Sequence, residues 1–455
     1  MLKSLVSVAK KQDPDSAVYF DITDIVDHAS KNRSVTGIQR IVTRVLADII
    51  KNDTRSQYFG LVTASVSGEC MAADLSFLRG VHNYTDFYTR FNRAASRETW
   101  LQHKLRNCRP NTLKFHLKKK YNTLRWLLSR RLRAKWGAVA KSPKPSCLMA
   151  LNLKEGDVIV TMGAGWCTEY SEVHELARRF GCRTISVVHD IMPITHPIFA
   201  PDSKHRFRNW VDYIAMHSDG ICVNSYFTRN ELLLYFRSKG IYREIDVMKL
   251  PHEFKKGDGG VASRISREVA LIASSRFVLS IGTLDPRKNV LGLLYAWQKL
   301  YEQGLSMPGI VVCGATGRAS GEIQEFLRLN PVGIGNAVTI IHNPNDAELE
   351  LLYQSCQFTV FPSFVEGWGL PIGESLWFKK PVLCANCASM PEVGGKFAVY
   401  FDHSKPDSLR DALRQMIENP VKLPDNIREQ LLTWEDTAAS VCAIVHSDHT
   451  VSACA

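Results

Sequence analysis

The run Val360-Phe361-Pro362-Ser363-Phe364-Val365-Glu366-Gly367-Trp368-Gly369-Leu370-Pro371-Ile372-Gly373-Glu374 leaves few folds open. An apolar, β-prone stretch from Phe358 to Phe361 enters a glycine-bearing turn, and Pro371 then opens a helix where a missing N–H costs nothing. Gly367 and Gly369 permit positive φ or a close approach of backbone to a ligand. The helix start supplies free N–H groups and the positive end of its dipole, an anion site. Glu366 and Glu374 bracket the turn with seven residues between them. Strand, turn and helix in this order predict an α/β sheet with its chemistry at the strand ends. Anion-binding amides between two hydroxyl-binding carboxylates suit a phosphorylated sugar. The plainer reading is an ordinary strand–turn–helix with no ligand.

The chain is long enough, at 455 residues, for two α/β domains, and its 45% apolar share is ordinary for buried cores. No run of about eighteen apolar residues predicts a transmembrane helix. The opening MLKSLVSVAKKQDPDS is too short and interrupted for a signal peptide. Twelve cysteines are scattered without a repeating spacing, several of them (Cys182, Cys222, Cys313, Cys384) in apolar strand-like runs. Cys384-Ala-Asn-Cys387 is a lone C-x-x-C, a weak metal or redox signal. This usage fits a reducing cytoplasm.

The net charge of +12 is concentrated: fifteen Lys or Arg and no Asp or Glu lie between Thr99 and Lys154, and without them the rest carries −3. Within that stretch Leu113, Leu117, Tyr121, Leu124, Leu128 and Leu132 mark one helical face, with basic residues, Trp126 and Trp136 around it. Three readings stand: docking of the basic helix 111–136 on an anionic membrane, a solvated helix packed by its leucine stripe, or nucleic acid. No nucleic-acid motif accompanies the segment, and no nucleic-acid partner is expected.

Ala17 to Ile22 reads as the first strand, followed by Asp21 and Asp24 at its end and by Ser34-Val35-Thr36-Gly37-Ile38-Gln39-Arg40 before an amphipathic helix. Tyr58 to Ala64 is the second strand, and a basic helical insertion fills about 80–150. Asp157 to Thr161, Cys182 to Val188, Gly220 to Asn224 and Ile245 to Leu250 continue a parallel sheet. Gly163-Ala164-Gly165-Trp166 and His189-Asp190-Ile191-Met192-Pro193 follow two of these strands, where open sheets place ligand residues. Lys255 to Gly260 reads as a hinge, giving a first domain over 1–262.

The second domain, 263–430, opens with Arg276 to Ile281 and then Gly282-Thr283-Leu284-Asp285-Pro286-Arg287-Lys288-Asn289, an anion-friendly strand end with two adjacent cations. Ile310 to Cys313 and Val338 to Ile341 are further strands, the latter leading into His342-Asn343. Pro391-Glu392-Val393-Gly394-Gly395 follows the opening motif. A last segment, 431–455, begins its helix at Trp434 and is expected to pack back towards the first domain.

Glu-x7-Glu enclosing Glu-Gly-Trp-Gly-Leu-Pro resembles the donor site of family-4 retaining glycosyltransferases, which have the two-domain GT-B fold. Matches run from about residue 18 to 447, except for roughly 65–150. The resemblance implies two Rossmann-like domains with parallel sheets facing a central cleft. Thr36-Gly37 is similar to the family's Gly loop at the donor phosphate, and His189 to its histidine beside the sugar. Gly282-Thr283-Leu284-Asp285-Pro286-Arg287-Lys288-Asn289 looks like its diphosphate segment. Where many members carry Arg directly after that glycine this chain has Thr283, so the cations are sought at Arg287 and Lys288. His342 and Asn343 stand where the family reads the nucleobase.

The expected catalytic residues are therefore His189, Glu366 and Lys288. Donor binding falls to Gly37, Thr283, Arg287, Lys288, His342, Asn343, Glu366, Gly367, Trp368, Gly369, Leu370 and Glu374, with Asp190, Gly165 and Trp166 on the acceptor side. By the same resemblance Glu366 meets sugar hydroxyls and Glu374 the ribose. The only Asp-x-Asp, Asp13-Pro14-Asp15, is badly placed for a metal, so no cofactor is expected and the nucleotide sugar is substrate. The motif set is similar to bacterial enzymes that often use GDP-mannose to build surface polysaccharide such as lipopolysaccharide, with UDP- or dTDP-hexoses as the alternative donors. It implies a hexosyltransferase with a glycan or lipid-linked acceptor, cytoplasmic and peripheral to the inner face of the plasma membrane. A GT-B nucleotide-sugar 2-epimerase and an inactive GT-B scaffold are the competing readings.

Overall fold

The computed structural model describes residues 16–31, 37–52, 57–64, 69–79, 148–168, 170–255 and 265–447. The basic helix 111–136, Ser34 to Thr36, Asp13 to Asp15 and the hinge after Lys255, with the boundary at 262, lie outside the described residues. The strands are β1 (Val18–Asp21), β2 (Tyr58–Ala64), β3 (Glu69–Asp74), β4 (Leu148–Ala150), β5 (Val158–Thr161), β6 (Arg183–Val188) and β7 (Gly220–Val223). They continue with β8 (Asp246–Val247), β9 (Phe277–Ile281), β10 (Gly309–Gly314), β11 (Val338–His342), β12 (Thr359–Phe361), β13 (Val382–Ala385) and β14 (Val399–Phe401). Two sheets result, ordered β4-β3-β2-β1-β5-β6-β7-β8 and β11-β10-β9-β12-β13-β14.

Both sheets are parallel through their centres, as expected from short apolar runs buried on both faces. Strands β1 and β5 are buried along their whole length. Helix Gly37–Asn52 buries Ile41, Val42, Val45, Leu46, Ile49 and Ile50, one helical face. Helix Val290–Glu302 does the same with Leu293, Leu294, Trp297 and Leu300. Each fully buried side chain of this size contributes roughly 1.5–3 kcal/mol. The parallel expectation misses one edge, where β3 pairs antiparallel with both β2 and β4. Glu-Cys-Met-Ala-Ala-Asp carries little β-propensity, so cross-strand pairing makes β3 a strand. The expected strand over Ile245 to Leu250 is regular only at Asp246–Val247.

The described residues divide into two compact units, one within Met1–Val187, Asn209–Ile221 and Cys442–Ala455, the other within Val188–Arg208 and Cys222–Val441. In the first unit a chain of buried hydroxyls ties β5 to β6. His174 Nδ1 lies 2.8 Å from the Tyr170 carbonyl, which only accepts, so Nδ1 carries the proton. Nε2 then accepts from Ser218 Oγ at 3.0 Å, Ser218 from Ser186 at 2.7 Å, and Ser186 from Thr161 at 3.0 Å. Every proton in the chain points one way.

In the second unit His252 has a similar role. Its Nδ1 accepts the Leu432 N–H at 3.1 Å and its Nε2 donates to the Val393 carbonyl at 3.1 Å, which requires the neutral ring. Trp434 N–H donates to Glu253 Oε2 at 2.9 Å and its indole to the Glu253 carbonyl at 3.0 Å, seating the last helix, Trp434–Val445. No helix among the described residues is long and apolar enough to cross a membrane.

Burial lowers the pKa of His252 below the free-histidine value, against the pull of the Val393 carbonyl. The unfolded chain then takes up a proton before the folded one does, so this residue's contribution is complete above the unfolded pKa of about 6.5 and is lost as pH falls through the lower folded value. His252→Asn does not titrate. The stability advantage of wild type over this variant is expected to be constant above about pH 6.5 and to shrink below it, as read by denaturant unfolding across pH.

Candidate active site

The order of the second sheet reverses between β9 and β12: from β9 the chain moves outward through β10 and β11, from β12 through β13 and β14. A crevice opens beyond the carboxyl ends of strands at such a switch point. The loops leaving these two strands are Gly282 to Asn289 and Pro362 to Gly369, the two segments singled out by sequence.

They meet at Glu366. Arg287 Nη1 donates to Glu366 Oε2 at 2.7 Å and Lys288 Nζ to Oε1 at 2.5 Å. Glu366 is 7% exposed. Burial alone would raise its pKa, but the Arg287 and Lys288 charges outweigh it and hold the carboxyl down at about 2. The two cations thus favour the ionised carboxylate, an effect present above about pH 4.3 and lost as pH falls towards the folded value, while burial lowers the pKa of Lys288 against the pull of Glu366. Lys288 Nζ also sits 5.7 Å from the centre of the Phe361 ring. Phe364 N–H donates to the Arg287 carbonyl at 2.9 Å, locking one loop to the other.

Close backbone approach explains the turn's glycines. A Cβ on Gly367 would lie 2.4 Å from the His189 carbonyl oxygen and 2.9 Å from Asp190 Cβ, so this position has no room for a side chain. Gly369 takes φ +103° and caps helix Leu370–Trp377, a conformation that costs other residues energy. Ser389 Oγ lies 2.8 Å from both the Glu366 and Trp368 carbonyl oxygens and shares its proton between them. On the helix, Glu374 is 2% exposed and accepts the Tyr353 hydroxyl at 2.8 Å through Oε2.

The structure therefore gathers His189, Asp190, Arg287, Lys288, Glu366 and Gly367 within the second unit, although 78 residues separate Lys288 from Glu366 in sequence. Asp190 accepts Met192 N–H at 3.0 Å; burial raises its pKa and the neighbouring Arg287 opposes the rise. Thr283 is exposed after Gly282, and His342 and Asn343 are exposed at the end of β11, Asn343 with φ +51°. Trp368 is buried, its indole edge-on to His252 with centroids 6.4 Å apart.

Gly37, Gly165 and Trp166 belong to the first unit. Gly37 is the exposed first residue of its helix. Trp166 packs 5.3 Å from Trp210, and a Cβ on Gly165 would come within 2.6 Å of the Trp210 indole nitrogen. This loop follows β5, at that sheet's own order reversal between β1 and β5. There Asp24 Oδ2 accepts the Ala164 N–H at 2.8 Å. Burial pushes Asp24 up to about 7, with Asp21 adding to the rise and the Ala164 N–H opposing it.

Sequence reading missed the supports: Ser389, Tyr353 and the roles of Asp24 and Glu392. The Glu392 carboxylate accepts Tyr226 N–H at 2.8 Å and Phe227 N–H at 2.6 Å, capping helix Tyr226–Arg237. Ser225 caps the same helix, its Oγ accepting Thr228 N–H at 3.0 Å. Cys387 lies beside the turn, its thiol donating to the Phe364 carbonyl at 3.3 Å. Burial pushes that thiol up to about 11, away from thiolate chemistry. Among the described residues no three His, Cys, Asp or Glu are gathered as a metal site.

The fold is GT-B, two Rossmann-like α/β domains with parallel sheets. Across 94% of this chain and 98% of the other, it superposes on sucrose-phosphate synthase (tll1590) from Thermosynechococcus elongatus with a TM-score of 0.57 at 14% identity. Residues 263–432 match the family model of glycosyl transferases group 1. The chain thus has a GT-B fold whose residues 263–432 resemble the group 1 glycosyl transferases, and its relatives by sequence include mannosyltransferases. It is 25% identical over 238 residues to O-antigen chain mannosyltransferase B of Escherichia coli, covering 52% of this chain and 62% of the relative. It is 24% identical over 274 residues to serotype-specific mannosyltransferase WbdA of Escherichia coli, covering 57% of this chain but 33% of the relative.

Two outcomes check the site's architecture. Ser389→Ala removes the only proton shared by the two turn carbonyls and is expected to cost about 1–2 kcal/mol in denaturant unfolding. Asp24, with a folded pKa above its unfolded value, favours the fold fully below about pH 4 and loses that contribution as pH rises towards the folded value. Asp24→Asn is therefore expected to gain on wild type between about pH 4 and 7, by an amount on the order of 4 kcal/mol, and to hold the gain above.

Proposed function

We propose that this chain is a retaining, metal-independent glycosyltransferase that moves a hexose from a nucleotide sugar to a glycan or lipid-linked glycan acceptor in envelope polysaccharide synthesis. GDP-mannose is the donor the resemblance of the motif set favours, and the mannosyltransferase names of the relatives support the mannose. The observation that carries the reading is the buried Glu366 held between Arg287 and Lys288 at the β9/β12 switch point.

Breaking the C–O bond to a nucleoside diphosphate sends an electron pair onto a phosphate oxygen. Fixed positive charge must meet it there. Arg287 and Lys288 both pair with Glu366 and supply that charge, and the amides at Gly367 to Leu370 add the start of a helix. The acceptor hydroxyl forms the new C–O bond on the face the diphosphate leaves, and the departing phosphate oxygen takes the hydroxyl's proton. No protein nucleophile enters that balance. Glu366 orients sugar hydroxyls, Glu374 the ribose, and His189 stands beside the sugar. The basic 111–136 segment would bring the protein to the anionic inner face of the plasma membrane, near a lipid-linked acceptor.

A thermal-shift panel of GDP, UDP, dTDP and ADP sugars, with and without EDTA, tests this reading. GDP-mannose is expected to raise Tm most, and turnover with retained anomeric configuration is expected to survive EDTA. Lys288→Ala is expected to lower kcat/KM about 100-fold or more, the scale for removing one preorganised charge-stabilising group. Undiminished turnover by Glu366→Ala, or loss of turnover with EDTA, counts against the reading. Sugar-nucleotide conversion without acceptor would point to an epimerase, and failure to bind any nucleotide sugar to a scaffold.

A further inference from the structure

We infer that Arg318 is a positioning residue for this reaction, fastening the segment that carries His189 and Asp190 to the loop that carries Arg287 and Lys288. The inference rests on the transferase reading of that cluster. All the residues concerned lie in the second unit.

Arg318 forks onto one carboxylate oxygen of Asp285, Nε at 3.0 Å and Nη2 at 2.8 Å. Its Nη2 also donates to the Phe199 carbonyl. Asp285 opens the short turn that displays the two cations, and its carbonyl accepts Lys288 N–H at 2.9 Å. A second fastening lies across the segment: Phe199 stacks on Phe364, centroids 5.9 Å apart and planes within 10°. Phe364 is bonded in turn to the Arg287 carbonyl. At the segment's other end the His189 carbonyl rests against Gly367, the close approach that excludes a side chain.

Residues 189–200 are thus held at Gly367, at Phe364 and at Arg318–Asp285, three points on or beside the two loops that meet at Glu366. Between those points the segment is internally bonded. Met192 N–H meets Asp190 Oδ1 at 3.0 Å, His196 N–H the Met192 carbonyl at 2.8 Å, and Phe199 N–H the His196 carbonyl at 3.0 Å. Release at Phe199 is therefore transmitted towards His189. Arg318 is 44% exposed, so its ion pair adds little stability. Its consequence is geometric, because the same guanidinium addresses both pieces of chain. A planar fork is needed for that, and lysine lacks it.

The full-length chain carrying Arg318→Ala, Arg318→Lys, Phe364→Ala or both alanine changes tests the assignment, with calorimetric GDP binding, steady-state kinetics and Tm read together. GDP affinity is expected to stay within about threefold of wild type, while each alanine variant loses about tenfold in kcat, since small misplacement is costly in the chemical step. The double variant is expected to lose less than the product of the two, because both residues restrain one segment. Arg318→Lys is expected to recover less than half of the lost kcat. Unchanged kcat in Arg318→Ala, a loss that follows only the folded fraction, or multiplicative losses in the double variant would each overturn the inference. A wild type that binds no nucleotide sugar would instead overturn the reading beneath it, and this inference with it.

Discussion

Taking a carboxylate out of water costs several kcal/mol, and the protein recovers that cost at Glu366 only by bringing two cations to it. The arrangement depends on chain order. Arg287 and Lys288 follow β9, Glu366 follows β12, and these two strands are neighbours only because the second sheet reverses direction between them. Were β12 to pair on the outer edge of β11, the buried Glu366 and the two half-buried cations would lose one another. The ion cluster and the strand order therefore specify one another, and the rest of the unit can be read as support for that junction.

Support comes from three directions. Below the turn, Ser389 gathers two carbonyls that would otherwise be buried without a donor. Behind the helix, Tyr353 fixes Glu374, and its ring is stacked in turn on Phe378 at 5.2 Å. Across the loop, the segment from His189 to Phe199 lies directly on Gly367 and Phe364. Glycine at 367 is a packing requirement here as much as a conformational one, since the neighbouring carbonyl occupies the space a side chain would take.

How much of this was legible in sequence follows from the range of the interactions. Strand-end motifs are local, and Gly282 to Asn289 and Glu366 to Glu374 declare strand, turn and helix within a few residues each. The parallel sheets follow from the apolar runs. What stayed hidden depends on partners far away in the chain: His252 is defined by Val393 and Leu432, and Glu392 by the helix start at Tyr226. Nothing local marks Ser389 or Arg318, because neither residue type carries a pattern that points at its partner. Strand β3 was missed for the same reason, its two Ala and acidic ends becoming a strand only against β2 and β4.

The seclusion of the Glu366 cluster sets it apart from the chain's other concentration of positive charge. Mobile ions screen exposed charges beyond roughly 8 Å at physiological ionic strength, and buried pairs far less. The proposed attraction of the fifteen basic residues between Thr99 and Lys154 to an anionic membrane would fade as salt rises, as surface electrostatics do. The field at Arg287 and Lys288 would barely change. One molecule thus carries two kinds of positive charge, one answering to the surrounding electrolyte and one insulated from it.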